Sequence, residues 1–159
     1  MNGAQVLMST ASASGIDVCF TNPGTTELAM IEALDKNKTI RPVLSLFEGV
    51  CSGAADGFAR MVGRPAMTLL HLGPGFANSI ANLHNARRAH SPILNIIGDH
   101  ATWHVEYDPP LASDIASLAR PVSDWFNYAS SPDDCRIKIN EALEVCITAP
   151  GKISTLVIP

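Results

Sequence analysis

Residues 66–99 read AMTLLHLGPGFANSIANLHNARRAHSPILNIIGD, two apolar runs on either side of a break marked by glycine and proline. Two short, almost wholly apolar runs, Ala66 to His71 and Pro92 to Ile97, suit strands buried on both faces of a sheet. Between them Gly73-Pro74-Gly75 predicts a loop, and the residues after it predict a helix to about Ala89. Strand, helix, strand in that order is a parallel pair joined by a crossover helix.

The same alternation extends outward. Toward the N-terminus, Val6, Leu7, Met8 and Ala11 share a helical face that ends at Gly15, and Ile16 to Thr21 is a short strand. Asn22-Pro23-Gly24 breaks that strand, and Thr25 or Thr26 can cap a helix through about Leu34, with Glu27 in its favourable first turn. Pro42 to Phe47 follows as strand and Glu48 to Met61 as helix. Toward the C-terminus, 98–110 is irregular, 113–118 is a short helix and Val122 to Tyr128 is extended. Pro132 opens a helix to about Thr148, and Ile153 to Ile158 is the last strand. The pattern predicts an α/β fold, a three-layer α/β/α doubly wound sandwich around a mainly parallel sheet of about six strands. No repeat or linker-like stretch divides residues 1–159, so one domain is expected.

Composition narrows the function. Hydrophobic residues make up 47% of the 159, enough for a real core, while only 16% are charged and the net charge is −4. Such a chain has no basic field for nucleic acid or anionic lipid, and no segment reaches the apolar length of a membrane span. Cys19, Cys51, Cys135 and Cys146 lack metal-like spacing, which suits reduced thiols and a cytoplasmic setting.

In parallel sheets ligands bind where strands end and helices begin, so the chemistry is sought there. Glu48 stands between a strand and the helix GVCSGAADGFAR, either as an ordinary helix N-terminal acid or as a functional carboxylate. Gly49, Gly53 and Gly57 put a side-chain-free stripe on that helix, for packing on the sheet or against another helix or subunit. The loop at Gly73 and Gly75 invites comparison with a dinucleotide fingerprint, with Asn78 at its third glycine and Asp99 where a ribose-binding acid would lie. His100 and His104 are four apart, but Pro109-Pro110 and an irregular pattern argue against a shared metal. His71 ends a strand beside the glycine loop, where an imidazole can act on a ligand. No G-x-S-x-G elbow is present.

Five segments taken together, GIDVCFTNPGTTEL (15–28), LFEGVCSGAADGFAR (46–60), LLHLGPGFANSIANLHNA (69–86), HSPILNIIGD (90–99) and LARPVSDW (118–125), resemble in order and spacing the N-terminal pyrimidine-binding domain of thiamine-diphosphate enzymes. The resemblance spans essentially the whole chain and is to the branch containing acetolactate synthase large subunits and benzoylformate decarboxylase. It implies that Glu48 hydrogen-bonds the cofactor's aminopyrimidine and so promotes loss of the thiazolium C2 proton. It places Pro23, Gly24, Thr25, Gly73, Pro74, Gly75 and Asn78 beside the cofactor. His71 matches an active-site histidine of the decarboxylase that typical acetolactate synthases lack; Thr25 stands where that decarboxylase has serine. The implied reaction is decarboxylation of a 2-oxo acid such as pyruvate, with ligation of the product to a second carbonyl. Simple decarboxylation, or a noncatalytic module on the same fold, are the alternatives.

The resemblance also implies what this chain lacks. Diphosphate and Mg2+ belong to a second domain, whose G-D-G motif is only superficially matched by Gly98-Asp99-His100, and a central domain is missing too. The chain is therefore expected to be part of a three-domain enzyme, or else a natural small subunit. It is expected to be inactive alone, completing its site against the diphosphate-binding domain of a partner subunit in a homodimer or homotetramer.

Overall fold

A computed structural model describes residues 1–159. Its elements in chain order are α1 (Gly3–Ala13), β1 (Val18–Asn22), α2 (Leu28–Lys36), β2 (Arg41–Leu44), α3 (Glu48–Val62), β3 (Ala66–His71), α4 (Leu72–Arg88), β4 (Ile93–Gly98), α5 (Ile115–Ala119), β5 (Trp125–Tyr128), α6 (Pro132–Ile147) and β6 (Ile153–Ile158). The six strands form one sheet in the order β2-β1-β3-β4-β6-β5, and every pairing is parallel. The expected α/β/α sandwich is the observed fold.

Side chains alternate along each strand, so the sheet feeds two cores. Met67, Leu69, Leu94, Ile96 and Leu156 face α1, α2 and α6, joining Leu7, Met8, Leu34 and Ile139. Ala66, Leu70, Ile93, Ile97 and Val157 face the other way, against Cys51 and Ala55 of α3, Phe76 and Leu83 of α4, and Ile115 of α5. A buried polar ladder runs through the second layer: Thr68 donates to Asn95 (2.8 Å), and Asn95 donates to Thr155 (3.1 Å). Those three residues are register partners on β3, β4 and β6, so a slip of one strand would strand their polar groups.

Local signals place the helices. Asn2 and Gln5 form a reciprocal capping box at α1, and Ser131 accepts from the Asp134 amide at α6, where Pro132 occupies the first turn. Gly15 and Gly63 follow α1 and α3 with positive φ, the conformation glycine adopts without strain.

Three expected boundaries are corrected. The strand read as Pro42 to Phe47 is Arg41–Leu44: the Ser45 amide still donates to Thr21, after which the edge strand has no neighbour to follow. Leu46 and Phe47 look like strand in an apolar run but lie on the surface, 94% and 49% exposed. Gly73-Pro74-Gly75 is the first turn of α4 and not a loop, since proline's missing N–H is no loss where helical amides have no partner. The extended segment from Val122 is strand only from Trp125.

From β1 the chain steps outward to β2, crosses back by α3 to β3, and then continues away through β4. The carboxyl ends of β1 and β3 therefore flank a crevice at which the strand order reverses, the place where open α/β sheets take ligands.

Candidate functional site

Two loops meet at that crevice. After β1, Pro23 and Gly24 lead into a single 3₁₀ turn, Thr25–Glu27, before α2. After β3, His71 passes into α4 through Leu72, whose φ of 53° is left-handed although its side chain is buried. A non-glycine residue held there costs about 1–3 kcal/mol, which the packed surroundings sustain. This sharp turn leaves His71 at the rim with its side chain 24% exposed.

The two loops are joined by a residue the sequence did not single out. Glu27, read as a helix-terminal acid, has no solvent exposure. One of its oxygens, Oε2, accepts from the Gly24 amide (2.7 Å) and lies 2.8 Å from His71 Nδ1; Oε1 accepts from the Thr26 hydroxyl (2.6 Å). Gly24 lies against the face of the imidazole and Gly98 against the Glu27 carboxylate, each so closely that a Cβ would overlap it. Thr25 and Pro23 stand at the open side of the same loop, Thr25 exposed and Pro23 partly so.

Glu48 is the first residue of α3 and partly exposed. Its Oε2 accepts from the Asn78 side chain, Nδ2, at 2.9 Å, while Oε1 takes no hydrogen bond from the chain. A Cβ on Gly75 would lie only 3.0 Å from Oε1, so the bare backbone of α4 is what lets the carboxylate lie there. The backbone beneath is pinned: Ser79 Oγ donates to the Glu48 carbonyl (3.0 Å) and Asn82 Nδ2 to the Gly49 carbonyl (2.6 Å). The glycine stripe is thus used unevenly: Gly49 leaves room for the Phe47 ring and the Asn78 carbonyl, Gly53 for Asn82 of α4, and Gly57 faces open space.

Glu48 and His71 accordingly flank the first turn of α4, with Gly73, Pro74 and Gly75 between them. Asn78 is a partner of Glu48, exposed at the next turn, and Gly73 is occupied from outside by Ser113 rather than open to a ligand. No apolar shell closes over Glu48 in this chain: Leu46, Phe47 and Val50 are all exposed, Leu46 almost completely. Leu28, Trp103, Val105 and Tyr107 are likewise exposed.

The remaining sequence candidates make no hydrogen bond to Glu27, Glu48 or His71. His100 and His104 pack edge to face at 5.6 Å and Trp103 stacks on His104, and no group of three His, Cys, Asp or Glu residues could hold a metal ion. Asp99 accepts from the His100 amide, and its carboxyl is pushed up from the usual range chiefly by burial. All four cysteines are free and buried. No helix is long and apolar enough to cross a membrane.

Comparison with known proteins identifies the family and the fold. Residues 1–118 match the family described as thiamine pyrophosphate enzyme, N-terminal TPP binding domain. A Mycobacterium tuberculosis protein named as the acetolactate synthase large subunit IlvX is 50% identical over 159 residues, all of this chain and 31% of that protein. Benzoylformate decarboxylase of Pseudomonas aeruginosa is 32% identical over 146 residues, 91% of this chain and 27% of the relative. The fold superposes with a TM-score of 0.92 on a Mycobacterium smegmatis protein described by name as a thiamin diphosphate-dependent enzyme, at 28% identity, covering 100% of this chain and 31% of that one. The thiamine diphosphate-dependent 4-hydroxybenzoylformate decarboxylase of Rhodococcus jostii has the same fold, with a TM-score of 0.93 at 24% identity, covering 100% of this chain and 30% of that one. The chain thus spans about a third of the length of its relatives.

Proposed function

Since the chain belongs to the family of N-terminal, cofactor-binding domains of thiamine pyrophosphate enzymes, we propose that it forms the pyrimidine-binding half of a 2-oxo acid active site, with Glu48 as its catalytic carboxylate. The observation that carries this reading is the state of Glu48: one oxygen held by Asn78, the other taking no hydrogen bond from the chain, beside Gly75 in a glycine-rich helical turn. That arrangement fits a heteroaromatic ring with a nitrogen to be hydrogen-bonded. The Asn78 bond fixes where the carboxylate points, the bare turn at Gly75 leaves it room, and the exposed Leu46, Phe47 and Val50 offer an apolar rim for a partner surface to close. Pro23, Gly24 and Thr25 bound the same crevice from the β1 side.

Thiamine diphosphate, when bound, supplies the electron sink for loss of carbon dioxide from a 2-oxo acid. The chain's own part is to orient the ring, share a proton at Glu48 and exclude water on one side. Its diphosphate and Mg2+ would be held by another domain, contributed by a partner subunit in a cytoplasmic homodimer or homotetramer. The proposed reaction is acetolactate-synthase-like, decarboxylation of a substrate such as pyruvate with ligation to a second carbonyl. A second reading, release of an aldehyde as in benzoylformate decarboxylases, is favoured by one observation: His71 stands at the rim of the crevice, positioned to carry a proton.

The test is Glu48→Gln in the complete enzyme, reading exchange of the C2 proton on bound thiamine diphosphate. Exchange should fall by about 10²-fold, the scale of a positioned acid–base group. Exchange at the native rate would remove Glu48 from the mechanism.

A further inference from the structure

We propose that Glu27 is the positioning residue of His71, holding its imidazole in the Nδ1–H tautomer and leaving Nε2 as the ring nitrogen presented to the crevice. That Nε2 meets substrate rests on the proposed function above; the tautomer itself does not.

The inference follows from counting protons around Nδ1. An ionised carboxylate accepts hydrogen bonds and donates none. Glu27 Oε2, 2.8 Å from Nδ1, therefore requires a hydrogen on that nitrogen. The Thr26 hydroxyl, 3.3 Å from Nδ1, commits its only proton to Glu27 Oε1 at 2.6 Å and can face the ring only as an acceptor. Both oxygens beside Nδ1 thus call for the same tautomer. The Gly24 amide adds a third donor to the carboxylate, and the whole group is closed from water at Glu27 while the imidazole reaches the rim.

Fully buried glutamates are rare unless paired, and this one is accommodated by two absences of side chain. Gly24 makes room for the ring and Gly98 for the carboxylate. If Glu27 served only to cap the turn at Gly24, the orientation of the imidazole would be indifferent to it. The arrangement instead joins the β1 loop, the end of β3 and the end of β4 through one acid, and orients a single base.

The experiment uses the 159-residue chain with ring-15N histidine, held about two pH units above the ordinary histidine value so that free imidazole is neutral. Long-range 1H–15N correlation reads which nitrogen of His71 carries hydrogen. The native chain should show a protonated-type Nδ1 and a bare Nε2. In Glu27→Gln, whose amide can donate to Nδ1, the pattern should invert or become mixed. A native Nε2–H tautomer, an even mixture, or a pattern unchanged by Glu27→Gln would overturn the proposal; should the variant not fold, the native spectrum alone decides. In the complete enzyme Glu27→Gln should lower kcat by about 10²-fold with KM little changed, and Glu27→Asp should recover part of the loss. An altered tautomer without a kinetic effect would sink His71's part in the reaction while leaving the positioning by Glu27 intact.

Discussion

Glycine-to-alanine replacement should move the stability of this chain in opposite directions at two sites. At Gly98, the last residue of β4, the new methyl would lie within the van der Waals envelope of the Glu27 carboxylate, which is sealed from solvent on every side. The carboxylate must then give up part of its bonding to Gly24, Thr26 and His71. Losing one hydrogen bond to a charged group costs roughly 1.5–3 kcal/mol, and overpacking adds roughly 1–3, so a loss of about 3–5 kcal/mol is expected. For a domain of this length 1 kcal/mol shifts Tm by about 2–4 °C, which places Gly98→Ala about 6–20 °C below the native chain. At Gly57 the added methyl meets nothing within 4 Å, and the residue is exposed inside α3. Alanine there should add about 0.5–1 kcal/mol, or about 1–4 °C, by removing the conformational freedom of glycine from the unfolded chain. Circular dichroism melts of the two variants beside the native chain decide the matter. A Gly98→Ala Tm within about 2 °C of native, less than 1 kcal/mol, would refute the claim that Gly98 exists to seat Glu27.

Two further outcomes follow from perturbed acids. Burial lifts the Asp99 carboxyl above its unfolded value, so the native state resists its ionisation and stability declines as pH rises through the window between those two values. Asp99→Asn, which can still accept from the His100 amide, should therefore have the higher urea midpoint at neutral pH, with the difference closing below about pH 4; a lower midpoint at neutral pH would contradict the sign. The four cysteines are buried, and burial pushes the thiols up, Cys135 to about 11 and Cys146 to about 12. Ellman's reagent should accordingly react slowly with the native chain near pH 8 and rapidly in guanidinium, and a fast native phase would show a thiol with access to solvent.

The layers of this fold were legible because parallel strands covered on both faces are apolar throughout, as Ala66 to Leu70 and Ile93 to Ile97 show with only Thr68 and Asn95 interrupting. Leu46 and Phe47 misled for the same reason: apolar residues at an exposed edge are indistinguishable in pattern from strand, and only the end of β1 beside them shows where pairing stops. Gly73-Pro74-Gly75 misled because glycine and proline signal a break, whereas the first turn of a helix tolerates both. The candidate site was half legible. Glu48, His71 and the glycines beside them announce themselves by standing at strand-to-helix junctions. The left-handed turn at Leu72 had no signal, since nothing in a leucine marks positive φ. Glu27 was invisible as a functional group because its partner lies 44 residues away, on a strand whose adjacency to β1 is a property of the sheet order and not of any local pattern.

Glu27 and Glu48 are the same residue type in the same sequence context, an acid at the start of a helix that follows a parallel strand, and helix dipole arguments treat them alike. The structure separates them by what their oxygens are given. Both oxygens of Glu27 are satisfied inside the fold by a backbone amide, a hydroxyl and an imidazole, so it has nothing left for a ligand and its influence must pass through His71. Glu48 has one oxygen tied to Asn78 and one without a partner, at an edge ringed by exposed apolar side chains. A group whose bonding is complete within the chain can only define geometry, whereas a partly exposed group with a free acceptor oxygen is available to a ligand, which is the role proposed for Glu48. On that criterion the crevice holds one finished acid and one unfinished acid on either side of the first turn of α4, and a ligand that completes the second will find His71 already oriented by the first.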